Sequence, residues 1–309
     1  METKERIEAI ISIDVLEEMR SNPDVLQIGE QLEKAIDKLK SLSSCVKLKQ
    51  YLSNMEQNHS DIYVQTLAKS GTTLTQMIIY QMTTNGNMDF DHIYDVSPFI
   101  GKIRGMNKND LKEFQFRPPV NGERRILKSH SNYHYFENIK QGKFVYVIRN
   151  VFDQLLSFYH QHKNYYQPDL KFEDFVKDAH IENWFKLNGE WIKNERGLDI
   201  IYLNYEDIVE NKADVVKRLA KFLEIELTNK DMKRLIDRTS FSFMKQHQGK
   251  FGDQPKPEDD SRKEYDKFIR KGKVDEGKDY FTKEQIEKYN DLSKGFFRDH
   301  EVTKRYFKE

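Results

Sequence analysis

Cysteine is all but missing from the chain: Cys45 is the one thiol in 309 residues. A single thiol excludes an intramolecular disulfide framework and a cysteine-based zinc site, and it suits a reducing compartment. Long apolar runs are missing too. No stretch approaches the ~18 residues that a spanning helix needs. The first residues, METKERIEAIISIDVLEEM, mix charges into their apolar pattern from the third position, so they offer neither a signal-peptide core nor an anchor. Net charge is absent, with 51 Lys plus Arg against 51 Asp plus Glu. That balance argues against a broad face for nucleic-acid backbones and leaves any anion site local. The expectation is a cytoplasmic protein with no nucleic-acid and no membrane partner. The triplet NHS at Asn58 matches a glycosylation acceptor but has no meaning without secretion.

What is present is 37% hydrophobic and 33% charged residues, so the apolar positions must concentrate in a few buried elements while most helices keep a solvated face. Residues 5–53 read as two or three helices, with Ile7, Ile10, Ile11, Val15, Leu16, Leu32, Ala35, Ile36 and Leu39 at helical spacing. The expected organisation is an N-terminal helical region, 1–54, packing on a main domain, 55–309, as one structural domain overall. DIYVQTL reads as a buried strand and TTLTQMIIYQM as the helix after it. RRILKSH and KFVYVIRN read as two further short strands, DQLLSFYHQH as a helix, and GLDIIYLNYED as another strand. NKADVVKRLAKFLEI is strongly amphipathic and opens on Asn211, an N-cap candidate. Strands alternating with helices predict an α/β fold with a central, mostly parallel sheet flanked by helices. Between Asp95 and Arg125 the prolines, glycines and scattered charges predict a long irregular loop with a helical turn, and residues 247–267 read as a polar, proline-bearing loop.

The stretch LAKSGTTLTQM, Leu67 to Met77, follows the first strand and opens a helix. Lys69, Ser70, Gly71, Thr72 and Thr73 would lie beyond the carboxyl end of a parallel strand, where backbone N–H groups and the helix dipole favour an anion. The match to a nucleotide-binding P-loop is partial: Lys69 and Ser70 fit its end, while Tyr63 and Ala68 stand at its glycine positions. A P-loop kinase needs an acid at the end of a neighbouring strand to hold Mg²⁺. The strand FVYVI ends instead in Arg149, whose planar fork suits a second phosphate, and Ser157 two turns on could add a hydroxyl.

KSGTT after a strand, VIRNVFDQLLSFYH in mid-chain and FIRKGKVDEGKDYFT near the end together resemble the cytosolic-type sulfotransferases, over residues 55 to 295. These enzymes use 3'-phosphoadenosine 5'-phosphosulfate and release adenosine 3',5'-bisphosphate. The resemblance implies that amides around Ser70 to Thr73 cradle the 5'-phosphate and that Lys69 reaches the oxygen bridging phosphorus and sulfur. It assigns the 3'-phosphate to Arg149, Ser157, Arg270, Lys271 and Gly272, and the adenosine side to Tyr205, Thr239, Phe241 and Phe268. In LKSH it makes His130 the general base and points Lys128 at the sulfuryl oxygens. A histidine's ordinary pKa of ~6.5 suits a base at neutral pH. In-line attack on a small-molecule hydroxyl or amine, without a covalent enzyme intermediate or a required metal, is the implied mechanism.

The chain also departs from that family. Leu67, Ala68 and Leu74 stand where Tyr-Pro and an adenine-stacking Trp are usual, Asp275, Glu276, Gly277 and Lys278 where Gly-Asp-Trp-Lys is usual, and Ser131 and Asn132 where Leu-Pro follows the base. No dimer motif of the animal enzymes is recognisable after Phe281, which leaves the oligomeric state open. Phe90, Phe99, Phe114, Phe116, Tyr133, Tyr135 and Phe136 line an acceptor pocket or form core, and the charged loops GKIRGMNKND and PKPEDDSRKEYDK point to a polar acceptor. His92, His134, His160 and His162 have no spacing partner for a metal and read as structural or exposed. Two alternatives stand beside this reading: a nucleotide-binding protein on the same scaffold without turnover, and a P-loop kinase working with Mg²⁺ and ATP.

Overall fold

In the computed structural model, which describes residues 23–84, 86–106, 124–252 and 268–307, the four apolar runs form four strands of one sheet. They are β1 (Ile62–Thr66), β2 (Ile126–Ser129), β3 (Lys143–Ile148) and β4 (Ile200–Asn204), in the order β2-β1-β3-β4. All neighbours run parallel, with Ile62 opposite both Ile126 and Lys143, and Val145 opposite Ile201. Parallel strands need a crossover between them, and helices supply it here.

The helices after the strands are α2 (Thr72–Thr83), α3 (Val151–Tyr165), α4 (Asp178–Lys193), α5 (Tyr205–Glu210) and α6 (Lys212–Leu223). Beyond them come α7 (Asn229–Arg238), α8 (Phe241–Gln246) and α9 (Lys283–Lys294). Before them, α1 is one uninterrupted helix, Pro23–Asn54. Pro23 opens it where a missing N–H breaks no helical bond, and only Gly29 weakens its interior. Residues 5–22, the rest of the expected N-terminal helices, lie outside the described residues, as do 107–123 and 253–267 of the two expected loops. The chain divides into two units, Met1–Gln50 and Tyr51–Glu309. Among the described residues no helix is long and apolar enough to cross a membrane.

Side chains alternate across a strand, and both faces of this sheet are covered. Ile62, Val64, Val145, Val147 and Leu203 share one buried cluster with Met77 and Ile78 of α2, Val216 and Leu219 of α6, and Leu235 of α7. The intervening residues build an aromatic layer on the other face. Tyr63 stacks on Phe144 at 4.6 Å and Tyr146 on Trp191 of α4 at 5.2 Å. Phe136 closes edge-on against Phe144 at 5.4 Å. Phe90, Tyr133, Tyr135 and Phe136 are therefore core and not pocket wall, while Phe114 and Phe116 lie outside the described residues.

At the amino ends of the strands, Asp61 and Arg125 form a buried two-point ion pair, Nε to Oδ1 at 2.7 Å and Nη2 to Oδ2 at 2.5 Å. It aligns the starts of β1 and β2. Asn211 stands at the amino end of α6, but its side chain makes no capping bond. It also terminates α5 by donating its N–H to Asp207, and its backbone conformation serves that ending. After α2, a short helical turn at Ile93–Val96 is capped by His92, whose ring also reaches the Gly252 carbonyl at 2.6 Å. Pro98 then accepts from the Lys128 N–H at 2.9 Å, and Phe99 pairs with Lys128 as a one-residue extension of the sheet. A 3₁₀ turn, Ile100–Gly105, supplies the helical turn expected in the 95–125 segment.

Candidate active site

The anion-suited stretch sits at the carboxyl end of β1, the central strand. Lys69 and Gly71 both take left-handed backbone, with φ of 69° and 93°. At Gly71 this requires glycine twice over, because a Cβ would lie 2.4 Å from the Tyr205 ring. The carbonyls of the turn are fixed from behind. Gln154 Nε2 donates to Ala68 O at 2.6 Å and Arg149 Nη1 to Lys69 O at 3.0 Å. With its carbonyls held there, the turn presents its other edge and the first turn of α2 to a cavity of 640 Å³ that Lys69, Gly71, Thr72 and Thr73 line. Ser70 is buried and lies outside the lining; every other predicted site residue lines this one cavity.

Arg149 ends β3. Its guanidinium lies 4.3 Å over the Tyr205 ring, and its backbone carbonyl accepts from Trp184 Nε1 at 3.0 Å. Its Nε is buried with no hydrogen-bond partner among the described residues. A buried guanidinium N–H left without an acceptor costs free energy that a bound anion would recover. Ser157 faces the same cavity from α3, and Arg270, Lys271 and Gly272 face it from the last third of the chain. Gly272 has φ of 63°, and a Cβ there would meet the Phe241 ring at 2.5 Å.

The segment after Gly272 departs from the family pattern, and the geometry accounts for it. The N–H groups of Asp275, Glu276 and Gly277 all donate to the carboxylate of Asp153, at 2.7, 2.9 and 2.7 Å. Asp275 takes the left-handed backbone, φ 61°. A side chain at Gly277 would strike the Phe152 backbone at 2.3 Å, so glycine is what lets the segment dock on α3. Glu276 pairs with Arg270 at 3.4 Å and Lys271 at 3.3 Å. Desolvation opposes ionisation of Glu276, but Lys271 and Arg270 hold its carboxyl below its ordinary value.

The aromatic residues divide by exposure. Tyr205 is buried, and burial raises its phenol against the pull of Arg149. Phe241 is 47% exposed and is therefore a cavity wall and not core. Phe268 lies under the Lys69 ammonium at 4.7 Å. Thr239 donates its hydroxyl to Leu235 O at 2.7 Å, so it offers the cavity only acceptors. Leu74 lines the cavity where a tryptophan is usual, and Val209, Met244 and Lys212 supply wall that the sequence reading missed. Burial pushes the Lys212 ammonium down, and it donates to the Thr239 carbonyl.

Lys128, on β2, and His130, just past it, meet the cavity side by side. Lys128 Nζ donates to the Tyr94 hydroxyl at 2.6 Å and lies 4.7 and 4.8 Å from the Tyr94 and Phe99 rings. Phe99 also stands edge-on to the His130 ring at 5.6 Å. His130 Nδ1 lies 2.9 Å from the Thr66 carbonyl. A carbonyl only accepts, so Nδ1 carries the hydrogen and Nε2 the lone pair. Phe158, Gln161, His162 and Tyr166 extend the lining from α3. His162 is thus a cavity residue and not merely structural or exposed. The signal was there: Gln161 and His162 stand one helical turn beyond Ser157 and Phe158.

Comparison with known proteins agrees with this geometry. The profile of the sulfotransferase domain matches residues 59–305. Sulfotransferase 1B1 of Canis lupus familiaris is 29% identical over 261 residues, covering 78% of this chain and 86% of the relative. The amine sulfotransferase of Oryctolagus cuniculus is 25% identical over 257 residues, covering 79% and 83%. Among solved structures, a mouse sulfotransferase complexed with PAP aligns at TM-score 0.62 with 21% identity, over 85% of this chain and 93% of that one. Retinol dehydratase in complex with androsterone and PAP aligns at 0.64 with 20% identity, over 83% and 86%. These two share the fold. The chain belongs to the sulfotransferase domain family.

Proposed function

We propose that Lys69, Lys128 and His130 carry the transfer by which this sulfotransferase moves a sulfuryl group from 3'-phosphoadenosine 5'-phosphosulfate to a small-molecule acceptor. The observation that carries this reading is the convergence in one cavity of a lysine on an anion cradle and an imidazole whose Nδ1 is held as a donor. When bound, the co-substrate supplies the sulfuryl group and a bisphosphate leaving group. The residues present fit it: Gly71 makes a tight turn where a Cβ would strike the Tyr205 ring, and Arg149 keeps a buried N–H without an acceptor among the described residues.

The amides of Ser70 to Thr73 would hold the 5'-phosphate. Arg149, Ser157, Arg270, Lys271 and Gly272 would hold the 3'-phosphate, and Tyr205, Phe241 and Phe268, with Leu74 and Thr239, the adenosine. Lys69 would neutralise charge on the departing oxygen, an effect larger in the transition state than in the ground state. His130 Nε2 would accept the acceptor's proton, and Lys128 would steady the sulfuryl oxygens. No covalent enzyme intermediate or metal enters this mechanism.

The acceptor end pairs Tyr94 and Phe99 with Phe158, Gln161, His162 and Tyr166 of α3. Rings alternate there with hydrogen-bonding groups. The Gln161 amide and the His162 ring, whose Nδ1 lies 3.1 Å from the Phe158 carbonyl, give this wall polar groups that a wholly apolar acceptor has no use for. The acceptor we infer is therefore a flat molecule with a polar group besides its nucleophile. We place the enzyme in the cytosol, in keeping with its lone cysteine.

Calorimetric titration with adenosine 3',5'-bisphosphate beside ADP and ATP, each with and without Mg²⁺, tests the nucleotide assignment. Tight binding of the bisphosphate independent of Mg²⁺ is expected, and preference for Mg-ATP would overturn it. Acceptor profiling tests the rest: turnover confined to sterols and unsubstituted phenols would reject the polar acceptor.

A further inference from the structure

We propose that Thr66 is a positioning residue that couples His130 to the co-substrate cradle through a one-way chain of hydrogen bonds. The inference rests on reading His130 as the base. Thr66 is the last residue of β1 and is fully buried. Its register beside β2 brings it against His130, and the tight turn after it returns the chain so that Thr72, the first residue of α2, lies alongside.

Three distances define the chain. His130 Nδ1 is 2.9 Å from the Thr66 carbonyl and 3.2 Å from Thr66 Oγ1. Thr66 Oγ1 is 2.6 Å from Thr72 Oγ1. Hydrogen counting then fixes the direction. Nδ1 has one hydrogen, and because the carbonyl can only accept, Nδ1 donates to the carbonyl and shares that hydrogen with Oγ1. Thr66 Oγ1 is buried and, among the described residues, has only Thr72 Oγ1 to donate to, so its hydrogen goes there. The hydrogen of Thr72 is left to point onward, and Thr72 lines the cavity in the first turn of α2 beside Lys69 and Thr73.

Two consequences follow for the base. The chain holds the imidazole in the tautomer with its lone pair on Nε2, and it fixes the ring against rotation on both acceptors of one residue. It also lets an anion that accepts from Thr72 polarise the chain from its far end, because linked hydrogen bonds strengthen one another. The imidazole becomes a stronger base when the cradle is filled. The titratable and charged groups that share the cavity with it are Lys128 on β2, Tyr94 ahead of Phe99, Lys69 on the loop, Arg149 at the end of β3, His162 and Tyr166 at α3, Tyr205 of α5, Lys212 of α6, and Arg270, Lys271 and Lys273. All remain when Thr66 alone is changed.

The test is nuclear magnetic resonance of the His130 ring, free and saturated with adenosine 3',5'-bisphosphate, in the wild type, Thr66→Val and Thr66→Ser. In the wild type the ring nitrogens should report hydrogen on Nδ1, and the bisphosphate should raise the pKa. In Thr66→Val that rise should fall to less than half, with bisphosphate affinity by calorimetry within about twofold and kcat down on the order of tenfold, a fraction of what a general base supplies. Thr66→Ser, which keeps the hydroxyl, should restore both. Thr72→Val breaks the chain at its other link, and should lose the rise as well even if Thr66→Val does not fold. An equal rise in the valine variants would overturn the proposal. Normal turnover by His130→Ala would instead overturn the base assignment beneath it, and the two failures are distinguishable.

Discussion

At the scale of single residues, the site is built on positions that constrain one another. Gly71 is fixed by the Tyr205 ring, Tyr205 by the Arg149 guanidinium above it, and Arg149 by the carbonyl of Lys69. Lys69 stands at the centre of this ring of constraints. Lys69→Ala is expected to lower kcat by about 10²-fold or more, the scale of one lost transition-state charge contact, while bisphosphate binding weakens but stays measurable by calorimetry. Retained turnover would take Lys69 out of the transfer. Lys69, Gly71 and Arg149 were legible in the sequence because contiguous blocks carry them, and Tyr205 through LNYED. Tyr94 and Lys212 were not, because each enters the cavity from a segment whose own pattern reads as loop or solvated helix.

At the scale of elements, the sheet separates stability from chemistry along its strand axis. The carboxyl ends of β1, β2 and β3 hold Lys69, Lys128, His130 and Arg149, while the amino ends hold the Asp61–Arg125 pair. Removing one partner of a buried, two-point ion pair strands the other charge, at a cost of about 3–5 kcal/mol. Asp61→Ala should therefore lose that much in urea denaturation, with kcat per folded molecule unchanged. A loss under about 1 kcal/mol would show that water reaches Arg125. All four strands, with α2 and α3, were read from periodicity, since buried parallel strands appear as short apolar runs between turn signals, whereas α4 was not. Capping was less legible. Asn211 has the right chemistry for a cap, yet its backbone already closes α5, so its side chain is left without that role.

At the scale of the whole molecule, the side proposed for the 3'-phosphate joins residues far apart in the chain, and that concentration of positive charge has a pH signature. Burial, with Arg270, Lys271 and Lys163, pushes His160 down to about 4, and its Nε2 is buried without a partner among the described residues. Unfolded, a histidine titrates near ~6.5. Between those values the unfolded chain binds more protons, so this contribution to stability is complete above pH ~6.5 and is lost as pH falls toward 4. Melting curves from pH 7 to 4 should show a smaller fall in Tm for His160→Gln than for the wild type, and parallel curves would contradict a neutral buried imidazole. Long-range charge of this kind cannot be read from spacing, since 110 and more residues separate His160 from Arg270 in the sequence. The three amides that rest on Asp153 carry one more consequence. Their hydrogens can trade with deuterated solvent only in the moments when residues 275–277 lift from α3. They therefore form a built-in clock for how often this segment leaves α3.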